Sequence, residues 1–205
     1  MRREVGGREL YRDLSLELEV GSVIAVRGRS GAGKSQFLRQ LAGLDPEVEG
    51  SESWGEMTLD GRTPHEWGAQ AWRAEVSYIP QVVPPMPGTP LEFAERIADL
   101  RVQRERDADD PLDLGRSWGL VATQWSSPWN SLSVGERQRA LLAVQLARNP
   151  AILLLDEPTA SLDTDSIAAV EETLMTRTCI WVTHQPEQAR RVAEEVLWIG
   201  GESDA

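Results

Sequence analysis

Gly28-Arg29-Ser30-Gly31-Ala32-Gly33-Lys34-Ser35 decides how this chain is read. It fits G-x-x-x-x-G-K-[ST], and its flanks are those the motif requires. Upstream, Val23-Ile24-Ala25-Val26 is a short apolar run of strand type. Downstream, Ser35 to Ala42 has helical spacing, with Phe37, Leu38 and Leu41 on the inner face. Gly43 and Pro46 end that helix. Glycines let successive backbone N–H groups turn inward around phosphate oxygens, and a helix N-terminus adds positive dipole. Residues Gly28 to Gln36 then cradle the phosphates, Lys34 reaches the β- and γ-phosphates, and Ser35 ligates magnesium. A chance glycine-rich turn is the bland alternative, and the strand–loop–helix context weighs against it.

Lys34 is the single lysine among 21 basic residues. Arginine is a wide planar fork, whereas lysine is a compact point charge on a flexible stem. A narrow site that must receive one ammonium explains the exception; compositional drift is the competing account.

The rest of the composition bounds the answer. At roughly 150 residues per domain, 205 residues make one domain. A hydrophobic share of 40% and a charged share of 26% belong to a globular protein. The net charge of −12 disfavours a sequence-independent grip on nucleic acid phosphates, so no nucleic acid partner is expected. Apolar runs such as Ile152 to Leu155 are too short to cross a bilayer. No basic segment followed by an apolar one opens the sequence. One cysteine, Cys179, excludes an internal disulfide and is best read as a small buried apolar residue. A cytosolic address is expected.

Leu14, Leu16, Leu18 and Val20 alternate with polar residues, predicting a half-buried strand before Gly21. Short strands are predicted at Met57 to Leu59, Val76 to Ile79, Ala151 to Leu155, Thr178 to Thr183 and Val196 to Ile199. Helices are predicted at Ser133 to Arg148, at Asp165 to Met175 and from Pro186. Prolines 80, 84, 85, 87 and 90 make Pro80 to Pro90 a loop. Phe93, Ile97 and Leu100 then recur at helical spacing, and Arg101 to Asp113 is a charged, solvated run. Alternation of strands and helices predicts an α/β fold, a mainly parallel sheet flanked by helices. A helical subdomain at about 85–148 is set into that single 1–205 domain.

Asp156 and Glu157 close the apolar run Ile152 to Leu155, where open α/β sheets bind ligands. Asp156 is the candidate magnesium ligand and Glu157 the candidate to polarise an attacking water. A pair of acids capping a strand is the ordinary alternative. Ser133 and Glu136, in Leu132-Ser133-Val134-Gly135-Glu136, have capping-box spacing. The same helix start can offer its N–H groups and the Ser133 hydroxyl to a phosphate from outside. Spacing leaves the two equal. Gln81 and His184 each follow a predicted strand, and a lone histidine is more often an ordinary polar residue. His65 has no partner motif.

In their order along the chain, the glycine-rich loop, Gln81, LSVGE at 132–136, ILLLDEP at 152–158, Ser161-Leu162-Asp163 and His184 resemble the ATP-binding cassette (ABC) ATPases. The resemblance covers nearly the whole chain. It implies a P-loop NTPase core whose inserted helical subdomain carries the signature helix. It implies ATP and Mg2+, with Gln81 as the Q-loop residue and a further metal contact, Ser133, Gly135 and Glu136 in the signature, Asp163 in the D-loop and His184 as the switch histidine. It also implies a head-to-tail homodimer in which each ATP lies between one P-loop and the other subunit's signature. Val134 and Glu136 depart from the usual signature glycine and glutamine. Val5 stands in the slot where cassettes usually hold an aromatic that stacks on adenine; Tyr11 is a nearby ring.

The resemblance makes the chain the ATPase subunit of an ABC transporter, peripheral to the membrane through a polytopic permease on a separate chain. Small iron- or metal-export cassettes are similar in motif wording. Soluble repair or translation ATPases usually have two cassettes or a coiled-coil insertion, which this sequence lacks. A P-loop small-molecule kinase leaves Asp163 and His184 without a role. A nucleotide-holding module without turnover leaves Glu157 without one.

Overall fold

The computed structural model describes residues 3–5, 8–11, 14–45, 57–104 and 106–200. Strands β1 (Arg3–Val5) and β2 (Arg8–Tyr11) pair antiparallel. The main sheet contains β3 (Val23–Arg27), β4 (Val76–Ile79), β5 (Ile152–Asp156), β6 (Cys179–Val182) and β7 (Glu195–Trp198), in spatial order β4-β5-β6-β3-β7. Every neighbouring pair in it is parallel. Parallel neighbours need crossovers, and helices supply them. Between β3 and β4 lie α1 (Lys34–Leu41), α2 (Pro64–Trp67) and α3 (Ala69–Glu75). Between β4 and β5 the described residues hold helices and no strand: α4 (Pro90–Ala98), α5 (Pro111–Ser117), α6 (Ala122–Trp125), a 3-10 turn at Trp129–Ser131, and α7 (Val134–Leu146). Helices α8 (Thr164–Leu174) and α9 (Pro186–Val192) complete the last two crossovers.

The apolar strands are explained by the two faces of the sheet. Leu153, Leu155, Cys179 and Trp181 pack with Leu142 and Leu146 of α7 and with Val170 and Leu174 of α8. Leu154, Ile180 and Val182 point the other way, against Phe37 and Leu38 of α1, Tyr11 and Trp72. A strand covered on both faces is apolar at every position, hence the unbroken run from Ile152. Each fully buried leucine contributes about 1.5–3 kcal/mol.

Several local expectations are corrected. Leu14 to Glu19 forms no strand and Val20 lies in a turn; Leu14, Leu16 and Leu18 pack on the α1 cluster, while Val20 is 96% exposed. A turn displaces it: the Ser22 N–H donates to the Glu19 carbonyl and Gly21 takes φ 82°. Met57 to Leu59 shrinks to one bridge between Leu59 and Arg62, because the chain reverses through Asp60 and Gly61 at positive φ. Pro46 lies outside the described residues. Pro90 is the first residue of α4, capped by Thr89, and Leu100 falls beyond its end, half exposed. The charged run from Arg101 is not wholly solvated: Arg106 clamps Glu75, and α5 begins at Pro111. The short helices α2 and α3 were not foreseen, and α5 and α6 fall within the stretch predicted to be helical without having been delimited; all four have too few turns to show a periodicity.

Candidate active site

Parallel strands all end on one edge, and that edge gathers the groups the sequence points to. From it lead the loop after β3, Gln81 after β4, Asp156 and Glu157 at the end of β5, and His184 after β6. The β3–α1 loop is held close against its neighbours. A Cβ on Gly28, which has φ 153°, would lie 2.2 Å from the Ile199 carbonyl oxygen. One on Gly33, at φ 97°, would lie 2.9 Å from Leu10 Cδ1. Only glycine fits either place. Helix α1 starts at Gly33 with no side-chain cap, so its first-turn N–H groups face outward for an anion. Lys34 is 6% exposed, and its ammonium donates to the carbonyls of Gly28 (2.9 Å) and Arg29 (3.1 Å). Burial lowers its pKa, opposed by the charges of Glu157 and Asp156.

Asp156 is buried at the end of β5 and accepts a hydrogen bond from the Tyr78 hydroxyl (3.1 Å). Burial first, and then the Asp156 charge, push the Tyr78 phenol up, which keeps it a donor. Glu157 has φ 47°, a left-handed backbone uncommon outside glycine, and its N–H donates to the Val182 carbonyl (3.0 Å). Its carboxylate is bracketed. Gln81 Nε2 donates to Oε2 (2.9 Å), and His184 Nε2 lies 3.0 Å from Oε1. Gln81, Glu157 and His184 therefore form one contact chain beside Asp156 and Lys34.

Among the described residues no group of three or more His, Cys, Asp or Glu side chains could hold a metal ion. The candidate donors are instead the Ser35 hydroxyl, the Asp156 carboxylate and the Gln81 amide oxygen, whose Nε2 is engaged on Glu157. One carboxylate with neutral oxygens suits Mg2+, which binds through few protein ligands plus substrate phosphates and retains waters. The donor set fits.

Ser133, Gly135 and Glu136 form a second group at the start of α7. The Glu136 N–H donates to Ser133 Oγ (3.2 Å), and the Ser133 N–H donates to Glu136 Oε2 (2.7 Å). The Gln124 amide also donates to Glu136. The Ser133 N–H above all holds the Glu136 carboxyl below its ordinary range. Among the described residues these bonds stay local and do not reach the 28–35 loop. The capping box is thus formed, and the Ser133 hydroxyl proton with the first-turn N–H groups remains for an external phosphate. A Cβ on Gly135 would lie 3.0 Å from the Ser161 carbonyl oxygen, so this helix start abuts the segment leading to Asp163. Asp163 caps α8 by accepting from the Ser166 N–H (2.9 Å), the Ser166 hydroxyl (2.8 Å) and Arg139 (3.2 Å). The Ser166 N–H is the main reason its pKa falls to about 2.

The side chain of Val5 lies outside the described residues. Tyr11 is excluded as a nucleotide platform. It is 5% exposed, edge-on to Phe37 at 5.7 Å, and donates to Gln40 Oε1 (2.5 Å). Cys179 is buried as expected, and burial pushes its thiol up to about 12. Tyr78, Gln124 and Arg139 were not singled out from the sequence. Only Tyr78 left a trace, as the one residue of β4 with a polar tip on an aromatic body.

The ABC transporter family model matches residues 11–160. The phosphate import ATP-binding protein PstB of Pyrobaculum aerophilum is 33% identical over 210 residues, covering 95% of this chain and 82% of its own. PstB of Tropheryma whipplei is 31% identical over 200 residues, covering 92% and 78%. A dimeric bacterial ABC transporter cassette, MJ0796, has the same fold, with TM-score 0.75 at 23% identity over 97% of this chain and 90% of that one. A bacterial Atm1-family ABC exporter with ATP bound gives TM-score 0.72 at 25% identity, over 95% of this chain and 35% of that one.

Proposed function

This chain belongs to the ABC transporter family, and on that premise we propose that it powers a separate polytopic permease by binding and hydrolysing ATP. The observation that carries the proposal is Glu157, held between Gln81 and His184 on the edge where Lys34 stands. Among the described residues no helix is long and apolar enough to cross a membrane. The permease places the chain at the inner membrane face. The active form is a head-to-tail homodimer, and residues at about 85–148 act as a helical subdomain within one 1–205 domain. For the substrate, phosphate import is favoured over metal or iron export, because the two relatives above 30% identity are phosphate import proteins, whereas the Atm1-family exporter shares the fold at 25%.

Roles divide by position. Backbone N–H groups from Gly28 to Gln36 hold the phosphates, and Lys34 exchanges its two carbonyl partners for phosphate oxygens. Ser35, Asp156 and Gln81 would hold Mg2+, which would neutralise charge developing on the phosphates. Glu157 accepts the proton of the attacking water. Gln81 and His184 fix its carboxylate, each through one oxygen. Ser133, Gly135 and Glu136 of one subunit, with Asp163 beside them, complete the site of the other.

Mixing tests that arrangement. Ser133→Ala is expected to leave nucleotide binding by the monomer intact while lowering turnover, because its phosphate lies in the other subunit. An inactive Ser133 variant mixed with an inactive Lys34 variant is expected to regain partial activity from the one intact composite site. Loss of monomer binding in the Ser133 variant would mean that the serine acts only as a local cap.

Base selectivity follows from the adenine slot. Phosphate and magnesium contacts are common to all nucleoside triphosphates, and Val5 offers no hydrogen-bonding pattern. Stacking on an aromatic is worth roughly 1–3 kcal/mol, so its absence weakens ATP binding and blurs discrimination. ATP and GTP are expected to bind the isolated subunit within about tenfold, a gap of roughly 1.4 kcal/mol. Val5→Tyr tightens both. Competition binding checks this, and an ATP preference beyond about a hundredfold contradicts it.

A further inference from the structure

Behind the catalytic edge lies a buried polar cluster that the proposed mechanism does not use. Thr159, Glu171, Thr183 and Gln188 are each at least 95% buried, from four different places in the chain. Gln188, on α9, joins them all. Its Oε1 accepts from the Thr183 hydroxyl (2.6 Å). Its Nε2 donates to Thr159 Oγ1 (2.7 Å) and to Glu171 Oε1 (2.8 Å). Arg191, one helical turn on, closes the cluster by donating to both Glu171 oxygens (2.7 and 2.8 Å).

Two of these partners adjoin the catalytic candidates. Thr159 is two residues after Glu157, and Thr183 immediately precedes His184. The Thr183 hydroxyl also accepts the Gln185 N–H (3.1 Å), so one side chain governs both sides of His184. Glu157 holds a positive φ, and a non-glycine residue keeps such a conformation only where its surroundings over-determine it. The 3.0 Å contact between Glu157 and His184 therefore depends on two loops meeting in register.

We infer that Gln188 is a positioning residue that couples the loop carrying Glu157 to the loop carrying His184. It touches no reacting atom. Its amide suits the task because the carbonyl oxygen takes a donor on one loop while the NH2 group reaches an acceptor on the other loop and a second acceptor on α8, in one rigid plane. An apolar side chain of the same length takes the amide partner away from the Thr183 hydroxyl and from Thr159 Oγ1, while Glu171 keeps Arg191, and leaves the two loops without their shared connection. The inference rests on the assignment of Glu157 as the base.

The test compares four full-length variants in steady-state ATP hydrolysis, with nucleotide binding measured alongside. Gln188→Met keeps volume and removes the bonds; kcat is expected to fall about 10- to 100-fold, the cost of slight misplacement of a base, with KM and nucleotide affinity within about threefold of the parent. The exchange Gln188→Glu with Glu171→Gln restores the bonds of position 188 to both loops and to position 171 with reversed polarity, at the loss of one Arg191 bond, and is expected to recover most of the lost kcat. Thr159→Val added to Gln188→Met should lower kcat no further, since the two act through one connection. A Gln188→Met variant with parental kcat and only a lowered Tm overturns the inference and makes the cluster purely structural. Glu157→Gln, run in the same assay, separates the two failures. If that variant still hydrolyses ATP, the assignment of the base has failed; if it is inactive while Gln188→Met is unimpaired, the coupling alone has failed.

Discussion

Glu157→Gln is expected to bind ATP as the parent does and to hydrolyse it roughly 10²–10⁴-fold more slowly. The amide is nearly isosteric but cannot take up a proton at neutral pH. The local geometry favours retained binding, because both neighbours can adjust to an amide. Gln81 can rotate its own amide to keep a bond, and His184 can change tautomer across the 3.0 Å contact. What is lost is basicity. ATP then persists at both composite sites, so the variant should run as a dimer in Mg-ATP while the parent stays largely monomeric. Turnover measured beside size-exclusion chromatography decides the matter: hydrolysis at the parental rate removes Glu157 from the chemistry.

Lys34→Ala should act one step earlier, on binding itself. The ammonium is buried and, among the described residues, donates to the Gly28 and Arg29 carbonyls. Nucleotide phosphates offer charged acceptors in their place. Loss of a hydrogen bond to a charged group costs roughly 1.5–3 kcal/mol, more than tenfold in affinity. Lys34→Arg should not rescue the loss, because a guanidinium is too wide for a space bounded by the loop's own carbonyls. Equilibrium binding reads the effect directly, and unchanged affinity in Lys34→Ala would sink the assignment of the loop.

The catalytic edge was legible because its parts are punctuated. Glycines at 28 and 33, an apolar run ending in two acids, and single polar residues after strands each mark a strand end, and parallel topology brings strand ends together. Fold and site were one inference. Partners that approach from distant segments were not legible. Arg139 reaches Asp163 across 24 positions and Gln188 reaches Thr159 across 29, and no local pattern records either meeting. The misplaced elements have a common cause. At Val20 and Leu59 alternation was present, but a turn at positive φ followed at once and left no room for a ladder. Tyr11 shows the reverse case: a ring that sequence left as a possible nucleotide platform is occupied by the core.

The setting of Lys34 also governs how this protein meets amine-reactive chemistry. Residues 1–205 contain one ε-amino group, and it is shielded on the inside of a loop while every other side-chain cation is an arginine or histidine. Acylating reagents and amine cross-linkers, which modify most proteins at many places, here have one side-chain target, and that target is 6% exposed and held on two carbonyls. Its labelling is therefore expected to be slow, and slower still with a nucleotide bound.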